Sequence, residues 1–174
     1  MGKGLEEVKA VDGSVFWVLP VGVGPREAAE AVLRMVPTPE VERRVNRNRW
    51  SYEILVPLTR CAGGRLAVTP NGMLLALGLR GPAKLLAQRG GTTYGDVFCI
   101  KAERGDDAAH TLRQLIQTRP LERLLRHEEI HSQQWARGAW RFAVGYLIEA
   151  VWARLRHRPH RDEVEAGLRD GGYQ

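Results

Sequence analysis

Two histidines four residues apart bracket a pair of glutamates in the run His127-Glu128-Glu129-Ile130-His131. On a helix that spacing puts both imidazoles on one side, one turn apart, where they can share a single cation. A zinc centre that does chemistry takes three protein ligands and keeps a fourth position for water. Glu128, beside the first histidine, can then serve as general base on that water. The expectation is a mononuclear zinc site, one ion per chain, with His127 and His131 as ligands and Glu128 as the catalytic carboxylate. Two histidines and one carboxylate also suit iron, so the donor set alone does not choose the metal.

The helical wheel adds a second argument. Leu121, Leu124, Leu125 and Trp135 form an apolar stripe, and Glu122, Arg123, Arg126, Glu129, Gln133 and Arg137 lie opposite. Glu128 falls inside the apolar stripe and the histidines border it, whereas Glu129 reads as an ordinary surface position. A carboxylate buried without a partner costs several kcal/mol, on the order expected for an uncompensated ion. A metal and its water would remove that cost. Gln134, three residues after His131, shares its face and can contact the site or the substrate. The third ligand should be His, Asp, Glu or Cys. Glu149, His157, His160, Asp162, Glu163, Glu165 and Asp170 all follow downstream, and periodicity does not choose among them.

The stretch from Leu124 to Trp135 (LLRHEEIHSQQW) resembles the H-E-x-x-H-x-x-Q segment of small bacterial metallopeptidase-like families, minimal gluzincins that are mostly uncharacterised. In those families a strand of the Thr-x-Gly-x-Val type commonly precedes the catalytic helix, and Tyr94-Gly95-Asp96-Val97-Phe98 occupies that place. The resemblance implies a zincin-like fold and a glutamate ligand on a later helix within E-x-x-A-D. Glu163-Val164-Glu165-Ala166 matches the first four positions, so Glu163 is the implied third ligand and Glu165 the alternative. Gly167 stands where the aspartate would be. It also implies a peptide or protein substrate, held by β-addition along an edge strand at Tyr94, Gly95, Asp96 and Val97. The likeness covers Thr92 to Tyr173, and residues 1 to about 90 resemble no named family.

The elements that must position these residues follow from turn signals and periodicity. Ser14–Leu19 reads as a strand, and Pro25–Met35 as a short helix stopped by Pro37 and Pro39. Trp50–Leu58 has the Trp, Tyr, Ile and Val content of a strand, with Pro57 placing it at an edge. Residues 65–69 and 73–77 flank Pro70-Asn71-Gly72 as a hairpin, although the Ala-Leu wording of the second arm leaves helix open. Thr92–Ala102 reads as one strand. Ala108–Gln117, Pro120–Arg137 (capped by Thr118, ended by Gly138), Ala139–Arg156 and Arg161–Asp170 read as helices. Strands first and helices after make a single α+β domain over 1–174. It would comprise a β-sheet, a helical zincin-like half at 92–173, and a possible extension or cap at 1–60.

Composition sets the outer bounds. The chain has 174 residues, 44% hydrophobic and 26% charged, enough for one domain with a real core. The net charge is +6, much of it arginine in Arg43–Arg49 and Arg154–Arg158. A basic balance leaves nucleic acid open as a partner, but no nucleic-acid-binding motif accompanies it. Cys61 and Cys99 make no disulfide framework and read as buried apolar residues in a reducing compartment. No signal-peptide pattern opens the chain, and the apolar run Trp140–Leu155 carries Arg141, Glu149 and Arg154, which is too charged to span a membrane. The expected location is the cytoplasm. The competing expectations are a metal-binding or protein-interaction module without peptidase activity, and a basic nucleic-acid-associated protein in which the histidines are incidental.

Overall fold

The computed structural model of the chain describes residues 5–79, 87, 91–101, 107–118 and 121–138. They form a mixed α+β fold with a six-stranded sheet and five helices among the described residues. Strand β1 (Glu6–Lys9) pairs antiparallel with β2 (Val15–Val18). Three consecutive helices follow, α1 (Pro25–Met35), α2 (Pro39–Arg47) and α3 (Arg49–Cys61). Strands β3 (Arg65–Val68) and β4 (Leu74–Leu79) make the hairpin around Asn71-Gly72, then β5 (Thr92–Tyr94) and β6 (Val97–Lys101) make another. The chain continues into α4 (Ala108–Thr118) and α5 (Glu122–Gly138). Sheet order is β1-β2-β3-β4-β6-β5, with β4 and β6 parallel, so β5 is an edge.

Period-two alternation sorts the strand side chains onto two faces. Leu66, Val68, Leu74, Ala76, Val97 and Cys99 pack under α1, α2 and α3. Ala67, Leu75, Leu77 and Phe98 face the opposite way, onto Leu112 and Ile116 of α4 and Leu121 and Leu125 at the start of α5. Both faces of β4 are therefore covered, and every residue from Leu74 to Leu79 is buried. A continuous apolar strand of this kind needs helices on both sides. Residues 5–61 place two strands in this sheet and lay three helices across one face.

Several sequence expectations change. Helices α1 to α3 come between β2 and β3, so strands do not simply precede helices. Residues 50–58 are helical, not a strand: Ser51, Tyr52, Leu55, Val56 and Thr59 are the buried positions of α3. That spacing is helical, and the period overrides β-rich composition because burial against the sheet decides the outcome. Pro57 is accommodated inside the helix. Pro39 does more than stop α1, because it opens α2 at a first-turn position whose N–H would be unused, with Thr38 Oγ1 accepting from Val41 N at 3.2 Å.

Residues 92–102 form two strands instead of one, because Gly95 turns the chain at φ +61°. A Cβ there would sit 2.6 Å from Ser51 Cβ, so the turn needs glycine for space as well as for conformation. Thr118 belongs to the end of α4, its hydroxyl bonding back to Gln114 O at 2.6 Å, and does not cap the next helix. Cys61 is exposed, while Cys99 is buried and its thiol is pushed up to about 12 by that burial. No helix among the described residues is long and apolar enough to cross a membrane. The helices expected at 139–156 and 161–170 lie outside the described residues.

Candidate functional site

Helix α5 carries His127, Glu128 and His131, and all three are buried. The two Nε2 atoms face each other at 3.1 Å, with ring centroids 4.7 Å apart and planes at 81°. Gln134 Oε1 lies 2.9 Å from His131 Nδ1. A carboxamide oxygen only accepts, so Nδ1 carries the proton there, and in the neutral ring Nε2 is left with the lone pair, facing His127. Two ring nitrogens at this separation can share either a proton or a cation. This pair is therefore the place where the described residues could hold a metal.

Glu128 is tied to the sheet edge. Thr93 Oγ1 donates to Glu128 Oε2 at 2.7 Å. The same residue's carbonyl accepts from Trp135 Nε1 at 3.1 Å. Trp135 also stands beside Trp50, at 5.3 Å between ring centroids and tilted 54°, and beside Tyr94 at 6.4 Å. Helix α5 thus lies along β5, fixed at two points to one threonine.

Here the proposed substrate strand requires correction. Tyr94 ends β5, Gly95 and Asp96 form the turn, and Val97 begins β6, so the four do not make one edge strand. Asp96 and Val97 are fully buried. Thr93 is the middle residue of β5, and the tryptophan of α5 already occupies its carbonyl. Of the four, Tyr94 alone lies in the edge strand β5.

Behind α5 lies a second polar cluster that sequence reading missed. Arg44 of α2 is 4% exposed, yet four of its five guanidinium N–H donors are engaged. Its Nε donates to Asp96 Oδ1 at 2.6 Å, Nη1 to Glu129 Oε1 at 3.0 Å, and Nη2 to the carbonyls of Asn71 and Gly72 at 3.0 and 2.7 Å. Asp96 also accepts from Tyr52 OH at 2.5 Å and Ser132 Oγ at 2.7 Å. Burial raises the Asp96 carboxyl above its ordinary value, against the pull of Arg44, Tyr52 and Ser132. Burial likewise holds the Tyr52 phenol well above its usual range, so it stays a donor.

The cluster reaches α5 at three further points. Asn48 Nδ2 donates to Ser132 O at 3.0 Å, and Asn71 Nδ2 donates to Leu125 O at 2.9 Å and Glu129 Oε2 at 3.2 Å. Asn48 Oδ1 is the one buried side-chain acceptor among the described residues without a hydrogen-bond partner. Glu129 is therefore not an ordinary surface glutamate: both its oxygens are bonded, and it is 30% exposed. Two signals could have exposed this cluster. Thr38-Pro39-Glu40 is a helix-start pattern, and on that helix Arg44 falls between Val41 and Val45. Gly95-Asp96 between two β-rich runs is a hairpin signal.

Gln134 is brought to His131, as its spacing suggested, while His110 is exposed on α4. Glu163 and Glu165, the implied third ligands, lie outside the described residues, as do the other downstream candidates Glu149, His157, His160, Asp162 and Asp170. Among the described residues no group of three or more His, Cys, Asp or Glu is gathered closely enough to hold a metal ion. A basic groove of about 380 Å³ between α2 and α5 is lined by Arg43, Arg47 and Arg137, on the side of α5 away from the histidines. No protein-family model matches this chain, and neither a curated protein nor a solved structure matches it.

Proposed function

We propose that this chain is a zinc-dependent hydrolase, of the peptidase-like kind that the H-E-x-x-H resemblance implies, with His127 and His131 as two ligands and Glu128 as the catalytic carboxylate. The observation that carries the reading is the convergence of the two Nε2 atoms at 3.1 Å. Tetrahedral zinc with Zn–N bonds of about 2.0–2.1 Å requires its two nitrogens roughly 3.3 Å apart, within a few tenths of that separation. The Gln134 contact supports it as well, since a ligand histidine donates its other ring N–H to an oxygen. Glu163, with Glu165 as alternative, remains the third ligand that the resemblance implies.

A zinc ion bound there supplies a Lewis acid that polarises a carbonyl and sharpens the acidity of water. The chain's own residues do the rest. Thr93 Oγ1 holds Oε2 of Glu128, orienting the carboxylate for proton transfer. That carboxylate takes a proton from the attacking water and delivers it to the leaving group. Burial beside Thr93 and Trp135 limits competing solvent.

The test is elemental analysis of purified protein, beside His131→Ala and Glu128→Gln, with turnover measured on a peptide library. About one zinc per chain is expected, lost in His131→Ala and kept in Glu128→Gln. Hydrolysis should fall by roughly 10²–10⁴ in Glu128→Gln, the size of a general acid–base contribution. Iron in place of zinc would redirect the search to oxidative chemistry. No metal after reconstitution with zinc would overturn the proposal, whereas zinc without hydrolysis would favour a non-peptidase metal-binding module.

A further inference from the structure

We propose that the buried Arg44–Asp96 cluster is a positioning device for the histidine pair, fixing the rotation and axial level of α5 that bring Glu128 to Thr93 and set His127 and His131 beside it. The proposal rests on the reading of that pair as a metal site.

The cluster holds α5 by one side only. Its contacts fall at the Leu125 carbonyl, both oxygens of Glu129, and the hydroxyl and carbonyl of Ser132. Positions 125, 129 and 132 recur at helical spacing, so they share a face. His127 and His131 stand on the other side of the helix. Anchor points therefore bracket the histidines along the chain without touching them.

The groups that bond to α5 come from separate segments: the donors Arg44 from α2, Asn48 from the junction of α2 and α3 and Asn71 from the β3–β4 turn, and the acceptor Asp96, itself held by Tyr52 of α3, from the β5–β6 turn. No two of these anchors shift together unless the sheet and α2 shift too. A residue of α5 rises about 1.5 Å, and metal ligands tolerate about 0.2 Å, so a slip of a fraction of a residue would spoil a two-histidine site.

Stability alone is a poor explanation of such a cluster. A buried ion pair commonly gains nothing over apolar residues of the same volume, and this one also leaves Asn48 Oδ1 without a partner. What directional bonds from several segments supply instead is a single geometry.

The experiment uses the full chain and three variants: Asp96→Asn, Ser132→Ala, and Leu112→Ala as a control in the α4 core. Zinc affinity is measured by chelator competition, and imidazole ¹⁵N and Trp135 indole ¹H NMR signals are recorded on metal-free protein. Asp96→Asn and Ser132→Ala are expected to weaken zinc binding about 10–100-fold, the range for residues that orient a ligand. They should also shift the His131 and Trp135 signals. Leu112→Ala should lower stability and leave both readouts unchanged. Wild-type zinc affinity retained in both polar variants, with unmoved signals, would overturn the proposal. If the wild type binds no zinc, the proposed function falls by itself. The metal-free signals then decide the positioning role: moved in Asp96→Asn and Ser132→Ala they support it, unmoved they overturn it. Should Asp96→Asn fail to fold, Ser132→Ala, which removes a single hydroxyl, carries the same test.

Discussion

Helix α5 has two polar sides, and they are built on opposite principles. On one, Arg44 and Asp96 meet complementary groups, and the guanidinium donates four bonds: to a carboxylate, a second carboxylate and two carbonyls. On the other, two imidazoles point ring nitrogens at one another across 3.1 Å. The first side is a closed circuit of fixed charges. The second is an open pair of ring nitrogens, close enough to share a proton or a cation. Glu128 and Glu129, neighbours in sequence, show the division most sharply. Glu129 is drawn to the arginine, and Glu128 to the threonine of the sheet edge.

The largest expected effect is a test of that division. Arg44→Ala strands Asp96 in the interior beside two uncompensated carbonyls, and should cost about 3–5 kcal/mol of unfolding free energy. Glu128→Gln, also at a buried carboxylate, should change stability by no more than about 1 kcal/mol, because the amide oxygen can still accept from Thr93 Oγ1 and no charge is left buried. Urea denaturation of the two variants side by side measures the contrast. Equal losses would erase it.

A smaller effect sharpens the link between the two sides. Trp135→Phe keeps the ring but removes the indole N–H that reaches Thr93 O. One neutral hydrogen bond is worth about 0.5–1.5 kcal/mol, so a loss of that size is expected in the same denaturation assay. A negligible loss would mean that ring packing, and not the bond to the edge strand, holds α5 there.

The smallest effect comes from the exposed pair at the far edge of the sheet, where Arg113 donates to Glu6 through two bonds of 2.7 Å. That hydrogen bonding holds the Glu6 carboxyl below its ordinary value of 4.5. A lowered carboxyl contributes stability fully present above its unfolded value and lost as pH falls through the folded one. Both partners are more than 40% exposed, so Glu6→Gln should cost only about 0.2–1 kcal/mol above pH 5 and nothing at strongly acid pH. A cost as large as that of Arg44→Ala would show that burial is not what separates the two arginines.

Much of this arrangement can be read from residue types alone, and the rest cannot for identifiable reasons. The bounds of α1, the β3–β4 hairpin and the helix under the histidines follow from caps, glycine turns and a 3.6-residue stripe. The burial of Glu128 follows from its place in the apolar stripe. The anchor does not, because its members are spread from Arg44 to Ser132 and meet only once the sheet is assembled. The same wheel argument that singles out Glu128 applies to Arg44, which shares a face with Val41. It needs residues 39–47 to be a helix, which arginine-rich composition disguises as a solvated run. Trp50–Leu58 misleads in the other direction, since Tyr52, Leu55 and Val56 serve a buried helical face while Ile54 is exposed.

The β5–β6 turn carries one further consequence, for how this chain can vary in length. Thr93 and Asp96 are three residues apart, yet one is bound to Glu128 and the other to Arg44. Adding or removing a residue at Gly95 would part these two contacts at once, and the ring of Trp50 and the Ser51 side chain leave no room to bulge. The turn at Asp12-Gly13, exposed and with nothing within 4 Å of where a side chain would grow, carries no such constraint. Grafts, tags and natural insertions belong at that end of the sheet, and the short turn beneath α5 must keep its register.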